Sequence, residues 1–252
     1  MYWALTTDLV DTRGFRFKQV LADIQTLNHW ARAARLEVTA ISLAAYPFVQ
    51  QDYALLPHGA SIGAGYGPVV VARKPMTLDE LQGVEIVIPG ALTTAYLTLR
   101  LALGEVAVRE LPFEQIPDEV ASGRAAAGLL IHEGQLTFSE LGLSKVLDLG
   151  EWWLLETGLP LPLGVNVARR DVERLHDLSA VLHEAIACGL ENREQALDYA
   201  LEFGRGIDRE TADRFVSMYV NELTCDYGDE GRLAVDELLR RAGGSAPAEY
   251  AA

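Results

Sequence analysis

The sequence predicts an α/β fold of two lobes, with mainly parallel sheets and two strands that cross between the lobes. Strand and helix patterns alternate along the first two thirds of the chain, which is typical of parallel strands joined by helical connections. Two apolar strands, residues 68–73 and 163–169, both end in Ala-Arg, and each lies where the character of the chain changes. We therefore predict that these two strands are the crossings.

The two crossings divide the chain into a discontinuous lobe and an inserted lobe. The first lobe is predicted to comprise residues 1–73 and 165–252, and the second residues 74–164. A lobe inserted into another through two crossing strands is the architecture of the class II periplasmic solute-binding proteins. The site is then expected in the cleft, at the carboxyl ends of strands and the amino ends of helices.

The individual elements follow from hydrophobic spacing, caps and glycine or proline stops. Strands are predicted at residues 15–23, 38–42, 67–73, 84–88, 126–131 and 163–168. Helices are predicted at residues 24–35, 43–51, 77–83 and 93–103, and a further helix is predicted to end at residues 119–123. Thr77 and Glu80 have the spacing of a capping box. Residues 152–162 are expected to be irregular, and residues 171–241 helical with breaks near residues 204–206 and 226–230.

Composition and charge exclude several classes of protein. Half of the 252 residues are hydrophobic, which is enough to bury a core. The formal net charge of −15 opposes binding to phosphate backbones, so no nucleic-acid partner is expected. Short, interrupted apolar runs predict no membrane span, and the start has no basic and apolar signal pattern, so we expect a cytoplasmic protein. Cys188 and Cys225 lack metal-ligand spacing and are expected to be reduced thiols.

Two of the predicted strand ends could hold a carboxylate. The first is Ala40-Ile41-Ser42, where Ser42 has the position of a helix N-cap and its neighbours offer free backbone N–H groups. The second follows a glycine turn, where Thr93, Thr94 and Ala95 open a helix whose N–H groups and dipole favour an anion. An ordinary cap without a ligand remains the alternative at both places.

A third strand end carries a histidine. Of the five histidines, His132 alone follows a fully apolar strand, the position from which a side chain enters the cleft. A histidine there can serve as a general base near neutral pH, and a structural histidine bonded to a local carbonyl is the alternative.

Several familiar chemistries lack their motifs. Neither His132-Glu133 nor His183-Glu184 is followed by the second histidine of a zinc protease helix, and no P-loop or GxGxxG motif is present. We therefore expect no metal and no cofactor.

Taken together, these segments resemble the 1,4-dihydroxy-6-naphthoate synthase family of the futalosine route to menaquinone. The longest and most specific similar stretches are Gly128-Leu129-Leu130-Ile131-His132-Glu133, Asp148-Leu149-Gly150 with Trp152-Trp153, and Thr157-Gly158-Leu159-Pro160-Leu161-Pro162-Leu163-Gly164. Shorter similar stretches lie at residues 21–23, 26–28, 30–31, 42–46, 67–73 and 93–96. The resemblance therefore covers most of the chain.

The resemblance implies a lyase that converts cyclic dehypoxanthine futalosine to 1,4-dihydroxy-6-naphthoate and a sugar-derived fragment. It implies that His132 is the base. It implies that the substrate, a small carboxylate-bearing molecule, contacts Ala40, Ile41, Ser42, Thr93, Thr94 and Ala95. Neither a nucleic acid nor a membrane is an expected partner, and a homodimer is retained beside a monomer.

In one respect the chain departs from the family. The family begins with a strand and a Ser-Pro-Cys-Pro-Asn-Asp-Thr-like loop before the segment that matches residues 2–5. Such a strand is normally central in the first lobe, and its neighbours would otherwise keep unpaired backbone groups. We therefore expect the native start to lie upstream of Met1.

Three alternatives stay open from the sequence. The chorismate dehydratase family of the same pathway shares the fold, but it lacks the His-Glu pair at this strand end, so His132 and Glu133 favour the synthase. A solute-binding protein of a transporter would bind a small molecule without chemistry. A non-catalytic sensor lobe would need an attached output segment, and no DNA-binding segment is present.

Overall fold

The structure is a computed structural model that describes residues 1–203, 208–243 and 248–251. Within these ranges the chain forms an α/β fold with helices packed around two sheets, which confirms the predicted α/β class. No helix in these ranges is long and apolar enough to cross a membrane. The predicted break near residues 204–206 lies outside the described residues.

The chain builds most of one sheet, passes to the second, and returns. The first part contains a 3₁₀ turn at Trp3–Thr6, helix α1 (Ile24–Arg32), strand β1 (Val38–Ser42), a 3₁₀ segment at Leu43–Phe48, β2 (Tyr53–Leu55) and β3 (Ser61–Gly63). The second part contains β4 (Val69–Ala72), α2 (Leu78–Gln82), β5 (Ile86–Ile88), α3 (Thr94–Leu103), β6 (Val108–Glu110), α4 (Ile116–Ala121), β7 (Ala127–Leu130), α5 (Gly134–Thr137), β8 (Ser144–Asp148) and α6 (Leu149–Thr157). The third part contains β9 (Leu161–Arg169), α7 (Leu175–Glu191), α8 (Arg193–Leu201), α9 (Arg209–Tyr219), α10 (Glu222–Cys225) and α11 (Gly228–Arg241).

Strand pairing is mixed, so the prediction of mainly parallel sheets is wrong. In the first sheet β9 is central and pairs antiparallel with β1, β2 and β3. The second sheet has the order β6-β5-β7-β4-β8, in which β5 is parallel to β6 and β7, while β4 is antiparallel to β7 and β8. Parallel neighbours need a crossover connection on the same sheet, whereas β4 and β9 each enter directly from the other sheet.

Sheet membership locates the two passages between the sheets. Strand β4 pairs within the second sheet from Val69, and β9 pairs within the first sheet from Leu161. The passages therefore lie at residues 64–68 and 158–160, a few residues earlier than the predicted crossings. The division into lobes at 73/74 and 164/165 stays a prediction.

Local predictions succeed where a cap or a strand pattern is strong. Strand β1 has the predicted bounds, and Thr77 with Glu80 forms the predicted capping box at α2. The predicted helix at residues 43–51 is a shorter 3₁₀ segment, Leu43–Phe48, which contains Pro47. Proline lacks the N–H that a regular α-helix needs, which accounts for the irregular segment.

Two predictions about larger segments are wrong. Residues 15–23, predicted as a strand, form no ladder with any described strand and leave Val20 and Leu21 exposed. An apolar pattern alone does not make a strand when no neighbour supplies hydrogen bonds. Residues 152–162, predicted as irregular, contain the end of α6 and the start of β9. Asp148 caps α6 by accepting from the N–H groups of Gly150 and Glu151, and these caps outweigh the missing amphipathic spacing.

Candidate active site

A cavity of about 430 Å³ lies between the two sheets and collects nearly all the predicted site residues. Its walls include the predicted residues Ala40, Ser42, Thr93, Thr94, Ala95 and His132. Ile41 does not line it, because alternate residues of a strand face opposite sides and Ile41 packs into the core of the first sheet. Residues from β1, α3 and the end of β7 therefore meet in one place.

The floor of the cavity is a row of small residues on the first sheet. Ser42 on β1 and Ser61 on β3 are both register partners of Gly164 on the central strand β9, and all three residues line the cavity. Directly opposed residues of neighbouring strands project to the same face. A Cβ atom at Gly164 would meet no heavy atom closer than 3.7 Å, so the glycine leaves an open gap between the two serines. The floor can hold a flat ring.

A buried asparagine fixes Ser42. The Oδ1 atom of Asn28 accepts a hydrogen bond from the Ser42 N–H at 2.8 Å, and its Nδ2 atom donates to the Ser42 hydroxyl at 3.1 Å. This corrects two expectations: the Ser42 side chain makes no capping hydrogen bond to the 3₁₀ segment that follows, and the N–H of its neighbour Ala44 is not free, because it donates to the Thr94 hydroxyl. Because the Ser42 oxygen accepts from Asn28, its own proton is left for an acceptor in the cavity.

The hydroxyls of the two threonines at the start of α3 form hydrogen bonds within the protein. The Thr93 hydroxyl donates to the Gly90 carbonyl at 2.7 Å and accepts from the Tyr96 N–H at 3.2 Å. The Thr94 hydroxyl donates to the Leu163 carbonyl at 2.6 Å and accepts from the Ala44 N–H at 3.2 Å. The Thr94 bonds hold the start of the helix against β9 and against the 3₁₀ segment that follows β1.

Two backbone donors at the same helix start remain. None of the described residues accepts a hydrogen bond from the N–H groups of Thr94 and Ala95, and both residues line the cavity. N–H groups in the first turn of a helix have no partner within the helix and carry its partial positive charge. They are suited to a carboxylate.

His132 stands on the opposite wall in a turn after β7. Its φ of +55° lies in the left-handed region, which is uncommon for residues other than glycine. Its ring packs edge-on against Phe113, with 4.7 Å between centroids, and against Phe215 at 6.2 Å. The aromatic contacts set the direction of the imidazole, while the turn brings it to the cavity.

Gln135 holds this turn in place. The Gly67 carbonyl can only accept and the His132 N–H can only donate, so the two backbone groups determine which way the amide points. The Gln135 nitrogen therefore faces the Gly67 oxygen at 2.5 Å and the Tyr219 hydroxyl at 2.6 Å, and the Gln135 oxygen accepts from the His132 N–H at 3.1 Å. One buried amide thus joins the histidine turn, the first passage and α9.

Several of the residues that build the cavity were not among the predicted site residues. Asn28 and Gly164 lie in stretches that carry the family resemblance, so that similarity was the one signal available for them. Gln135 follows His132 by three residues, but nothing in the pattern predicts its contacts. Ser61 and Tyr219 come from distant segments, and only the folded chain brings them to the cavity.

Two cavities of the protein differ in the charged side chains that line them. Among the described residues that line it, none carries an Asp, Glu, Lys or Arg side chain. Phe113 lines a second cavity of about 410 Å³, which is bordered by Asp23, Glu110 and Glu114. An anion would be repelled from the second cavity, whereas the first offers helix N–H groups and serine hydroxyls.

Comparison with known proteins identifies relatives of this chain. A protein from Thermus thermophilus named 1,4-dihydroxy-6-naphthoate synthase is 42% identical over 226 residues, which cover 88% of this chain and 82% of the relative. A protein of the same name from Streptomyces coelicolor is 37% identical over 231 residues, covering 88% of this chain and 80% of the relative.

Solved structures extend the comparison. A crystal structure of an Archaeoglobus fulgidus protein is 43% identical, with a TM-score of 0.90, and covers 96% of this chain and 91% of that one. The ligand-binding component of a Staphylococcus aureus ABC-type importer is 16% identical, with a TM-score of 0.63 over 88% of this chain and 80% of that one, and supports the two-lobed solute-binding fold alone. The family described as menaquinone biosynthesis matches residues 1–243, and the chain belongs to that family.

Proposed function

We infer that this protein is a lyase that forms 1,4-dihydroxy-6-naphthoate from cyclic dehypoxanthine futalosine. The observation that carries the proposal is one cavity, without Asp, Glu, Lys or Arg side chains among its described residues, that brings together Ser42, the start of α3 and His132, in a chain 42% identical to a synthase of that name. A cytoplasmic location belongs to the same proposal, because the named relatives are biosynthetic enzymes.

The cavity supports one orientation of the substrate. The carboxylate binds at the start of α3, where the N–H groups of Thr94 and Ala95 complement its charge. The flat ring lies on the floor of small residues around Gly164, and the Ser42 hydroxyl donates to a polar atom at its edge. Phe215 and His132 then close the opposite side.

His132 acts as the general base in this proposal. Release of a sugar-derived fragment from the ring system requires removal of a proton from the substrate, and an imidazole at the cavity wall can accept it near neutral pH. Phe113 and Phe215 hold the ring, and Gln135 holds its backbone. The base is therefore positioned before the substrate arrives.

Incubation of the purified protein with cyclic dehypoxanthine futalosine tests the proposal. We expect the naphthoate product, identified by its mass and its fluorescence. Absence of this product together with consumption of chorismate would instead identify a chorismate dehydratase. Tight binding of the substrate without any product would identify a binding protein of the solute-binding fold.

A further inference from the structure

The hydroxyl of Tyr219 is a polar group in the cavity wall that the proposed function does not use. Tyr219 ends α9, is 5% exposed and lines the cavity. Its ring packs against Phe215, with 5.1 Å between centroids, and edge-on against Tyr66 at 5.6 Å. The two aromatic contacts leave the ring little freedom, so the hydroxyl has a fixed position.

The direction of the hydrogen bond between Tyr219 and Gln135 follows from two backbone groups. Because the Gly67 carbonyl and the His132 N–H determine which way the Gln135 amide points, the atom that faces the tyrosine at 2.6 Å is the amide nitrogen. The amide nitrogen donates, so the tyrosine oxygen accepts. The phenolic proton is not used in this bond and needs an acceptor of its own.

We propose that Tyr219 donates this proton in a hydrogen bond to an oxygen atom of the substrate bound in the cavity. Gln135 is the only partner that the described residues give this hydroxyl, and a buried donor without an acceptor is costly. A substrate oxygen at that position removes the cost on binding. The inference rests on the proposed function, because it assumes that the reacting molecule occupies this cavity.

The surroundings keep Tyr219 a donor at every working pH. Burial raises the pKa of its hydroxyl above the ordinary value, so the phenol stays protonated. Gln135 joins the hydroxyl and the backbone of His132 through one amide group. Tyr219 is thereby linked to the turn that carries the proposed base, and a substrate oxygen held by Tyr219 has a defined position relative to that turn.

The replacement Tyr219→Phe removes the hydroxyl and keeps both aromatic contacts. We expect kcat/KM to fall by about ten- to a hundredfold, and the affinity for 1,4-dihydroxy-6-naphthoate in a fluorescence titration to fall with it. Tyr66→Phe is the matched control: its hydroxyl donates to the Met218 carbonyl, and Tyr66 does not line the cavity. Equal kinetics and equal product affinity for Tyr219→Phe and the parent overturn the proposal.

Neutron diffraction from the deuterium-exchanged protein separates this inference from the proposed enzymatic activity. The proposal requires deuterium on the Gln135 nitrogen toward Tyr219, and a phenolic deuterium directed away from Gln135 into the cavity. A phenolic deuterium on the line to Gln135 overturns it, whichever molecule the enzyme converts. Failure of the parent protein to form the naphthoate, with the deuterium as expected, refutes the proposed function alone.

Discussion

At the scale of single residues, the site depends on which polar atoms already form hydrogen bonds within the protein. Asn28 accepts a hydrogen bond from the Ser42 N–H but leaves the Ser42 hydroxyl proton unused. Thr93 and Thr94 use their hydroxyls for hydrogen bonds within the protein, whereas the N–H groups of Thr94 and Ala95 have no acceptor among the described residues. A hydroxyl amino acid near a cavity is therefore not by itself a substrate contact. A residue can bind the substrate only through the donor or acceptor that has no hydrogen-bond partner within the protein.

The first prediction concerns the proposed base. Because His132 has a φ of +55°, asparagine, which tolerates this conformation, is a better replacement than alanine. We expect His132→Asn to lower kcat by about a hundredfold or more, the usual contribution of a general base, with the thermal melting temperature nearly unchanged. Turnover close to that of the parent in steady-state assays would remove His132 from the mechanism.

A second prediction separates the backbone donor of Thr94 from its hydroxyl. Thr94→Ala and Thr94→Pro both lose the hydroxyl, but only proline also loses the N–H. Proline suits this first helical position, and Thr93 before it already has the extended conformation (φ −78°, ψ 145°) that a residue before proline needs. We expect Thr94→Pro to bind 1,4-dihydroxy-6-naphthoate more weakly than Thr94→Ala by about 1.5–3 kcal/mol, the loss of a bond to a charged group.

Titration of both variants by fluorescence gives this difference directly. Thr94→Ala is the matched control, because it shares every loss except the N–H. Equal dissociation constants for the two variants would show that the carboxylate does not bind at this helix start.

At the scale of elements, the floor of the site follows from strand register. The pairing of β1 and β3 with β9 places two serines on either side of one glycine, and none of the three residues is close to another in sequence. A side chain at position 164 would stand between them. The pairing of these strands therefore sets the depth of the cavity, because the absence of a side chain at Gly164 leaves space above the floor.

A third prediction follows for Gly164→Ala. The new methyl group meets no heavy atom closer than 3.7 Å, so the fold should tolerate it, but it projects into the space assigned to the substrate ring. We expect KM to rise by about tenfold or more while the unfolding free energy changes by less than about 1 kcal/mol. Steady-state kinetics and urea unfolding measure the two quantities. An unchanged KM would place the ring elsewhere.

The sequence was informative about elements with strong local signals. The capping box at Thr77, the bounds of β1 and the helix start at Thr93 were all predicted, because caps and short apolar strands are specified by neighbouring residues. The strand predicted at residues 15–23 failed because pairing depends on a distant partner. Helix α6 was missed because its apolar residues surround the helix and give no amphipathic period.

The residues of the site were predictable to about the same extent as the helices and strands. Strand ends and helix starts are local features, so six of the seven proposed site residues do line the cavity. Ile41 was included as a neighbour of Ser42, and the alternation of side chains along β1 turns it away. Tyr219 and Ser61 reach the cavity through tertiary contacts, and no spacing rule connects them to His132.

At the scale of the whole molecule, the site depends on how the two sheets are joined. The first passage, residues 64–68, packs directly against the start of α6, and the Leu149 N–H donates to the Pro68 carbonyl at 2.9 Å. The same passage supplies the Gly67 carbonyl that orients Gln135. The connection between sheets and the position of His132 are therefore parts of one arrangement.

The last prediction tests this arrangement at Gly150, where backbone packs on backbone. A Cβ atom there would lie 2.0 Å from the carbonyl carbon of Tyr66, a clash that no side-chain rotation can relieve. We expect Gly150→Ala to lower the unfolding free energy by about 3 kcal/mol or more, and to reduce turnover in the remaining folded protein, because displacing the passage also displaces Gly67. The control is Gly83→Ala, whose Cβ would meet no heavy atom closer than 3.4 Å at the end of α2 and should cost less than about 1 kcal/mol. Urea unfolding followed by tryptophan fluorescence gives both values. Similar midpoints for the two variants would show that the passage can shift freely, and that the two sheets are not held together at this contact.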